Sequence, residues 1–147
     1  MMAALVLDTR ALEVIADRNA DPQGARRVQS MLTSAARLGI PVRVPTAVLV
    51  EAYRGTAADA AVDRVLGKGI RPLTLGRATA RQAGRFRHRD GLNSGHAVDA
   101  VVIATAVRLG GGIVATGDPE DLRSLARDHP NVKVESVARH RQVCAAT

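Results

Sequence analysis

Two apolar patterns alternate along this chain. Short apolar runs predict buried strands, because the strands of a covered parallel sheet are apolar on both faces. Five such runs occupy residues 4–7, 42–44, 70–75, 112–116 and 132–137. Between them apolar residues recur at helical spacing, as at Ala25, Val28, Leu32 and Ala35. The alternation predicts an α/β fold with a five-stranded, mostly parallel sheet flanked by helices on both faces.

The chain length favours a single domain. A chain of 147 residues fits one core of ordinary size, so we expect one domain over residues 1–147, with about residues 138–147 as a tail. The lone cysteine, Cys144, cannot form a disulfide within the chain, which favours a reducing compartment. We see no basic leader and no apolar run near the ~20 residues of a membrane span. We therefore expect a cytoplasmic protein without membrane contact.

The charge balance favours a polyanionic partner. The net charge is +7, which makes nucleic acid the leading partner class. Of the 21 cations only Lys68 and Lys133 are lysine, a bias that genome composition can also produce. Tyr53 and Phe86 are the only aromatic residues, which excludes base stacking as a main mode of binding.

Four carboxylates interrupt or end apolar stretches. Asp8 follows AALVL, and Asp118 follows GGIVATG. Glu51 lies within TAVLVEAY, and Asp99 lies within HAVDAVVIATAV. A desolvated carboxylate is costly unless it is paired or bound to a cation, and no pattern of Lys or Arg here pairs all four. Together they predict a site for a hard divalent cation, Mg²⁺ or Mn²⁺.

Each of these acids also has a simpler explanation of its own. Asp8 and Asp118 both stand where a helix N-cap is expected. Asp99 lies near a helix start, where the helix dipole favours an anion. Glu51 could form an exposed ion pair with Arg54. Four separate coincidences would be needed, whereas a metal site is a single cause.

The predicted elements bring the four acids to one edge of the sheet. Ligands of open parallel sheets bind beyond the carboxyl ends of the strands. Asp8 and Asp118 directly follow predicted strands. Glu51 is expected in a short helix after the second strand, and Asp99 in the first turns of the helix that leads into the fourth. All four side chains can therefore reach the same end of the sheet.

The order of these motifs resembles a known family. LDT near the start, VLVEAYRG around residue 51, HAVDAVVIATAVRLGG around residue 99 and IVATGDPEDL around residue 118 resemble the PIN domain, and within it the VapC-type toxins of bacterial toxin–antitoxin pairs. The resemblance covers nearly the whole chain. It implies a PIN-like fold and a metal-dependent ribonuclease that forms a homodimer and is neutralised by a cognate antitoxin.

The resemblance also implies roles for individual residues. The catalytic, metal-binding acids would be Asp8, Glu51, Asp99 and Asp118. Thr116 would be a supporting hydroxyl, and Asp121 an accessory acid that also binds metal. Our hypothesis is that Mg²⁺ or Mn²⁺ activates a water that hydrolyses the RNA phosphodiester bond. In this scheme the first three acids hold one ion, and Asp118 completes that site or helps to hold a second.

A predicted helix carries a stripe of arginines. Arg77, Arg81, Arg85 and Arg89 recur every four residues, while Thr79, Ala83 and Phe86 are expected to face the core. Like charges repel at this spacing, and a track for the RNA backbone would explain them. A solvated face or an antitoxin-docking surface is the alternative. His96, three residues before Asp99, is more typical of a helix start than of a metal ligand.

Three other functions stay in view. A phosphorylation-controlled receiver domain would need an Asp after a middle strand and a Lys after a late one; residues 42–46 contain no Asp, and neither Lys68 nor Lys133 is suitably placed. A PIN-like module could bind RNA or protein without cutting, which only turnover decides. A PIN nuclease could also act outside toxin–antitoxin systems, in which case no small antitoxin-sized reading frame would lie just upstream.

Overall fold

The computed structural model describes residues 3–138, which build one five-stranded sheet. Its strands are β1 (Ala4–Leu7), β2 (Val42–Pro45), β3 (Ile70–Leu73), β4 (Gly112–Thr116) and β5 (Val132–Ser136). Their order across the sheet is β3-β2-β1-β4-β5, and all neighbouring pairs are parallel. The winding direction reverses between β1 and β4, so the carboxyl ends of these two strands form the crevice where such sheets bind ligands. The predicted α/β fold is confirmed.

In the described part of the chain, seven α-helices flank the sheet. They are α1 (Thr9–Ala16), α2 (Pro22–Leu38), α3 (Thr46–Ala52), α4 (Asp59–Leu66), α5 (Arg77–Asp90), α6 (Ala97–Arg108) and α7 (Pro119–Leu125). Helix α6 packs across β1, β2, β4 and β5, with α5 and α7 beside it. Helix α1 packs on β1 and β4 and carries α2 and α4 against its outer side.

Helix α6 is the central helix of the core. Every residue from 100 to 106 is buried. Its sequence is apolar almost all round, as expected of a helix covered on every side. Asp99 lies in its first turn, directly before this buried stretch. The carboxylate is therefore attached to one of the most firmly packed elements of the protein.

Two strands end earlier than the apolar runs predict. The prediction for 70–75 was too long, because the strand ends at Leu73 and the Leu75 N–H donates to the Thr46 hydroxyl instead of the sheet (3.1 Å). The prediction for 132–137 was one residue too long. Val137 nevertheless donates its N–H to the Thr116 carbonyl (2.9 Å), which keeps the chain beside the end of β4.

The start of β4 requires glycine. Gly112 has a φ of +142°, which side-chain-bearing residues rarely adopt, and it pairs with Ala4 of β1. A Cβ atom built there would lie 1.9 Å from the Ala4 carbonyl oxygen. The two central strands therefore meet at a contact that has no room for a side chain.

The last described residues are attached to α2. Arg27 donates from Nη1 to the carbonyls of Ser136 (3.4 Å) and Ala138 (3.0 Å). Apart from Ala138, the predicted tail and its Cys144 lie outside the described residues. Within residues 3–138, no helix has the length and apolar character needed to cross a membrane.

Candidate active site

Asp8 links β1 to α1 and is almost fully buried. Its residue is 6% exposed. Oδ1 accepts the N–H of Ala11 (2.9 Å) and so caps α1, while Oδ2 accepts the N–H of Gly117 (3.3 Å). Burial raises the pKa of Asp8, although hydrogen bonds from Thr116, Ala11 and Gly117 partly offset the rise. The predicted helix cap is confirmed, and the same carboxylate also reaches the turn after β4.

Asp99 is the acid whose ionisation is most clearly disfavoured. Burial raises its pKa to about 6, and the charges of Asp118, Asp8 and Asp121 act in the same direction. The Nδ1 atom of His96 lies 3.9 Å from Asp99 Oδ2, and its charge offsets only part of this rise in the pKa. The repulsion shows that the acids after β1, in α6 and at the start of α7 lie within electrostatic reach of one another.

Asp118 stands at the N-cap position of α7, but its side chain makes no capping hydrogen bond. The helix start is where the sequence indicates, whereas the simple capping explanation for this side chain fails. Its backbone N–H donates to the Thr116 hydroxyl (2.9 Å). Desolvation raises the pKa of Asp118, and the neighbouring carboxylate of Asp121 raises it further.

Glu51 lies in the last turn of α3, on the surface. Its Oε1 accepts a 2.6 Å hydrogen bond from the Thr9 hydroxyl, which joins α3 to the start of α1. The suggested ion pair between Glu51 and Arg54 does not form. Arg54 instead lies 3.6 Å from Glu13. Glu51 is thus held by a neutral donor, and within residues 3–138 no guanidinium forms an ion pair with it.

The four predicted acids line one cleft at the carboxyl edge of the sheet. The cleft has a volume of about 380 Å³. Six carboxylates line it: Asp8, Glu13, Asp21, Glu51, Asp99 and Asp118. The sequence analysis did not identify four further residues of the cleft: Thr9, Arg10, Glu13 and Asp21. Thr9 and Arg10 directly follow Asp8 in the first motif, and Glu13 comes one helical turn later, so these three could have been recognised from the sequence. Asp21 could not have been found from spacing, because only the packing of α2 on α1 brings it here.

Asp121 extends the acidic group outside the cleft. Ligand-type atoms of His96, Asp99 and Asp121 all lie within 4.8 Å of one another. Asp121 is exposed in the first turn of α7. It therefore lies where an accessory acid could support either Asp99 or Asp118. The sequence interpretation of His96 as a helix-start residue agrees with its place in the short 3₁₀ turn before α6.

The donor set fits a hard divalent cation. The acids lining the cleft offer only carboxylate oxygens, the ligands that Mg²⁺ and Mn²⁺ prefer. Asp8, Asp99 and Asp118 all have raised pKa values, because burial and mutual repulsion disfavour their charged forms. A bound dication would relieve both effects at once.

Thr116 connects the two acids at the centre of the sheet. It is fully buried, accepts the Asp118 N–H, and hydrogen-bonds to Asp8. Replacing Thr116 by valine should cost about 1–3 kcal/mol of unfolding free energy, because a part-buried N–H loses its acceptor. It should also raise the pKa of Asp8 further and weaken Mn²⁺ binding, measured by titration calorimetry. Thr116→Ser keeps the hydroxyl and should retain the affinity. A valine variant that binds Mn²⁺ as tightly as the wild type would contradict this role.

The four arginines of the stripe differ in their surroundings. Arg77, Arg81 and Arg85 are exposed on α5, and Ala83 and Phe86 face the core, while Thr79 is only partly covered. Arg89 is instead engaged in the protein. It forms two hydrogen bonds with Asp90 (2.7 and 3.2 Å) and one with Asp128 (3.0 Å). With Arg127, which also binds Asp90, it holds the pKa of that carboxyl well below its usual range.

A family model described as the PIN domain matches residues 5–128. The chain belongs to the PIN domain family. The matched range runs from β1 to the end of α7 and contains the four predicted acids of the cleft. This PIN chain is a member of a family of nucleases, and its acidic cluster is a possible metal site.

Two solved structures share the fold. One is VapBC2 from Rickettsia felis bound to a DNA fragment from their promoter; its TM-score is 0.65 at 15% identity, over 90% of this chain and 98% of that one. The other is DNA-bound VapBC from Salmonella typhimurium, with a TM-score of 0.59 at 22% identity, over 94% of this chain and 100% of that one. A search of curated proteins finds no match. At these identities the likeness concerns the fold of the PIN chain.

Proposed function

We propose that this PIN chain is a metal-dependent endoribonuclease and the VapC-type toxin of a bacterial toxin–antitoxin pair, acting in the cytoplasm as a homodimer. The observation that carries the proposal is the convergence of Asp8, Glu51, Asp99 and Asp118, from four separate elements, in one cleft. The arrangement is costly for the metal-free protein, since burial and repulsion disfavour the charged forms of three of them. Such clusters of costly groups are typical of functional sites.

The acids of the cleft form the core of the proposed metal site. Asp8, Glu51, Asp99 and Asp118 would hold Mg²⁺ or Mn²⁺, with Asp121 as an accessory acid. Bound metal supplies a Lewis acid that polarises the phosphodiester and makes water more acidic. Thr116 orients Asp8 relative to Asp118, and Thr9 orients Glu51. Arg77, Arg81 and Arg85 offer an exposed cationic surface for the RNA backbone.

A groove at the opposite edge of the sheet supports the proposal that the chain binds an antitoxin. It has a volume of about 720 Å³ and lies between α1, α2 and α4. Its apolar lining includes Ile15, Leu32 and Val65. Four cations also line it: Arg18, Arg37, Arg64 and Lys68. In residues 3–138 none of these four forms an ion pair. An acidic, amphipathic segment of the antitoxin would complement both the apolar lining and the charge.

Cleavage of total cellular RNA tests the proposal. Purified protein with Mg²⁺ or Mn²⁺ is expected to produce discrete fragments, and EDTA or Asp8→Asn should abolish them. Asparagine can still cap α1, so the variant should remain folded. Glu135→Gln is the matched control, because it removes an exposed carboxylate of β5 that lies outside the cleft, and it should cut normally.

The outcomes separate the parts of the proposal. Absence of cleavage by a folded protein that binds metal would support a non-cutting PIN module. Cleavage that persists in EDTA would contradict the metal dependence. The product of a small reading frame just upstream is expected to inhibit cleavage in an equimolar complex. Cleavage without such a reading frame would indicate a PIN nuclease outside toxin–antitoxin systems.

A further inference from the structure

The acidic cleft poses an electrostatic problem for an RNA substrate. Six carboxylates line it, and the phosphodiester backbone is itself anionic. Within the described part of the chain, Arg10 is the only cation that lines the cleft. Neither its charge nor its spacing marks it in the sequence, where it follows the LDT motif as one of many arginines.

Arg10 lies in the first turn of α1, with its guanidinium at the mouth of the cleft. Its side chain is 50% exposed. Nη2 donates to Asp21 Oδ2 at 3.2 Å, and Nη1 lies 3.9 Å from Glu13 Oε2. A guanidinium has five N–H donors, and this single hydrogen bond leaves several available for a phosphate.

The turn after β4 is shaped to receive the Arg10 side chain. A Cβ atom on Gly117 would lie 2.5 Å from Cγ of Arg10 and 2.7 Å from its Cβ. The backbone itself does not require glycine there, because the φ of Gly117 lies outside the left-handed region. The N–H that Gly117 donates to Asp8 would be present in any residue except proline. The missing side chain therefore serves the stem of Arg10.

We propose that Arg10 is a substrate-binding residue that contacts an RNA phosphate at the cleft, with Gly117 making room for its stem and Asp21 holding its guanidinium until RNA binds. This inference rests on the proposed ribonuclease function. Asp21 partly neutralises the Arg10 guanidinium, and its own negative charge repels a phosphate bound beside it. Removing the charge of Asp21 therefore favours RNA binding, and removing Arg10 opposes it.

A purely structural role for Arg10 makes a different prediction. Arg10 and Asp21 would then simply tie α1 to the start of α2, and breaking the pair from either side would have the same effect. Asp21→Asn is a suitable probe, because Asp21 also accepts the Gly24 N–H that starts α2 and asparagine can keep that cap. Opposite effects of the two substitutions on RNA binding distinguish substrate contact from a tie between helices.

The test measures binding of a fluorescent single-stranded RNA by anisotropy, in EDTA, in proteins that all carry Asp99→Asn, so that the RNA is not cut and no bound metal contributes to the affinity. Arg10→Ala should weaken binding three- to tenfold at about 0.1 M salt, and the slope of log K against log salt should fall by about 0.7. Asp21→Asn should tighten binding at least twofold. Gly117→Ala should behave like Arg10→Ala.

Two controls isolate the effect of Arg10. Arg108→Ala removes the same charge at the far end of α6 and should change the affinity less than twofold. Gly76→Ala adds a methyl group where nothing lies within 4 Å and should bind like the parent protein. Mn²⁺ affinity of the single variant Arg10→Ala, with Asp99 intact, should be at least that of the wild type, which excludes collapse of the metal site.

The inference is overturned if Arg10→Ala and Arg108→Ala have equal effects, or if Asp21→Asn weakens binding as Arg10→Ala does. It is also overturned if the parent protein does not bind RNA at all. These results are distinct from failure of the proposed function, which is judged by whether the wild type cuts RNA. Wild-type cleavage together with unaffected binding by Arg10→Ala would remove only the role of Arg10.

Discussion

Replacing Asp99 by asparagine is expected to make the metal-free protein more stable while abolishing metal binding. Burial and the charges of Asp118 and Asp8 raise the pKa of Asp99 from 3.8 to about 6. Each pKa unit corresponds to about 1.4 kcal/mol, so at pH 7 the neutral side chain should raise the free energy of unfolding by about 2–3 kcal/mol. The side chain is only 26% exposed, so solvent screens little of this effect.

The pH dependence of the free energy of unfolding shows whether the Asp99 charge stabilises or destabilises the fold. Because the folded state holds the Asp99 proton more tightly than the unfolded state, the contribution of Asp99 to stability should be most favourable below about pH 3.8 and decline as the pH rises to about 6. Asp99→Asn should flatten much of this decline. Urea denaturation in EDTA at several pH values, from about pH 4 to pH 7, measures it.

A second arm of this experiment adds Mn²⁺. The metal should stabilise the wild type at pH 7 and leave Asp99→Asn unchanged. Glu135→Gln again serves as the control and should follow the wild type in both buffers. An asparagine variant that is less stable than the wild type in EDTA would show that the Asp99 charge stabilises the fold, and an asparagine variant that Mn²⁺ stabilises as much as the wild type would show that Asp99 is not needed for metal binding.

Gly112→Ala is expected to prevent stable folding. The added methyl group would lie 1.9 Å from the Ala4 carbonyl oxygen, so the central pair of strands would have to separate. The φ of +142° adds strain for any residue with a side chain. We expect the free energy of unfolding to fall by at least about 4 kcal/mol, which is a large share of the total stability of an ordinary domain. Circular dichroism and thermal unfolding would detect it.

The matched control is Gly84→Ala in the middle of α5. Nothing lies within 4 Å of the Cβ position there, and the residue is exposed on a helix. Alanine should therefore raise the free energy of unfolding by about 0.5–1 kcal/mol. If Gly112→Ala unfolds at the same temperature as Gly84→Ala, the close approach of β1 and β4 is not required for folding.

The main acids of the site could be predicted because a carboxylate in an apolar run is conspicuous in the sequence. Asp8 and Asp118 follow strands that the apolar pattern locates correctly, and parallel strands bring their carboxyl ends to one edge. The length of β3 could not be predicted, since Leu75 is apolar but donates its N–H to the Thr46 hydroxyl. A single sequence does not reveal that competition.

The neighbours of the acids depend on packing between distant segments. The hydrogen bond from Thr9 to Glu51 spans 42 positions, and no local pattern encodes it. Arg89 continues the spacing of the other three arginines of the stripe. Its guanidinium nevertheless binds Asp128, which lies in the loop after α7. Sequence periodicity assigns a residue to a helix, but tertiary partners decide which charges remain exposed.

The two oxygens of Asp8 have an evolutionary consequence. One oxygen caps α1, and the other accepts a hydrogen bond from the Gly117 N–H in the turn after β4. The fold therefore fixes the position of the side chain before any ligand binds. An amide oxygen at position 8 could serve the helix start, whereas an apolar residue could serve neither contact. Descendants that lose the nuclease should therefore pass through asparagine more readily than through alanine. A lineage with asparagine at this position would keep the shape of the PIN domain after the acidic cleft had lost one of its charges.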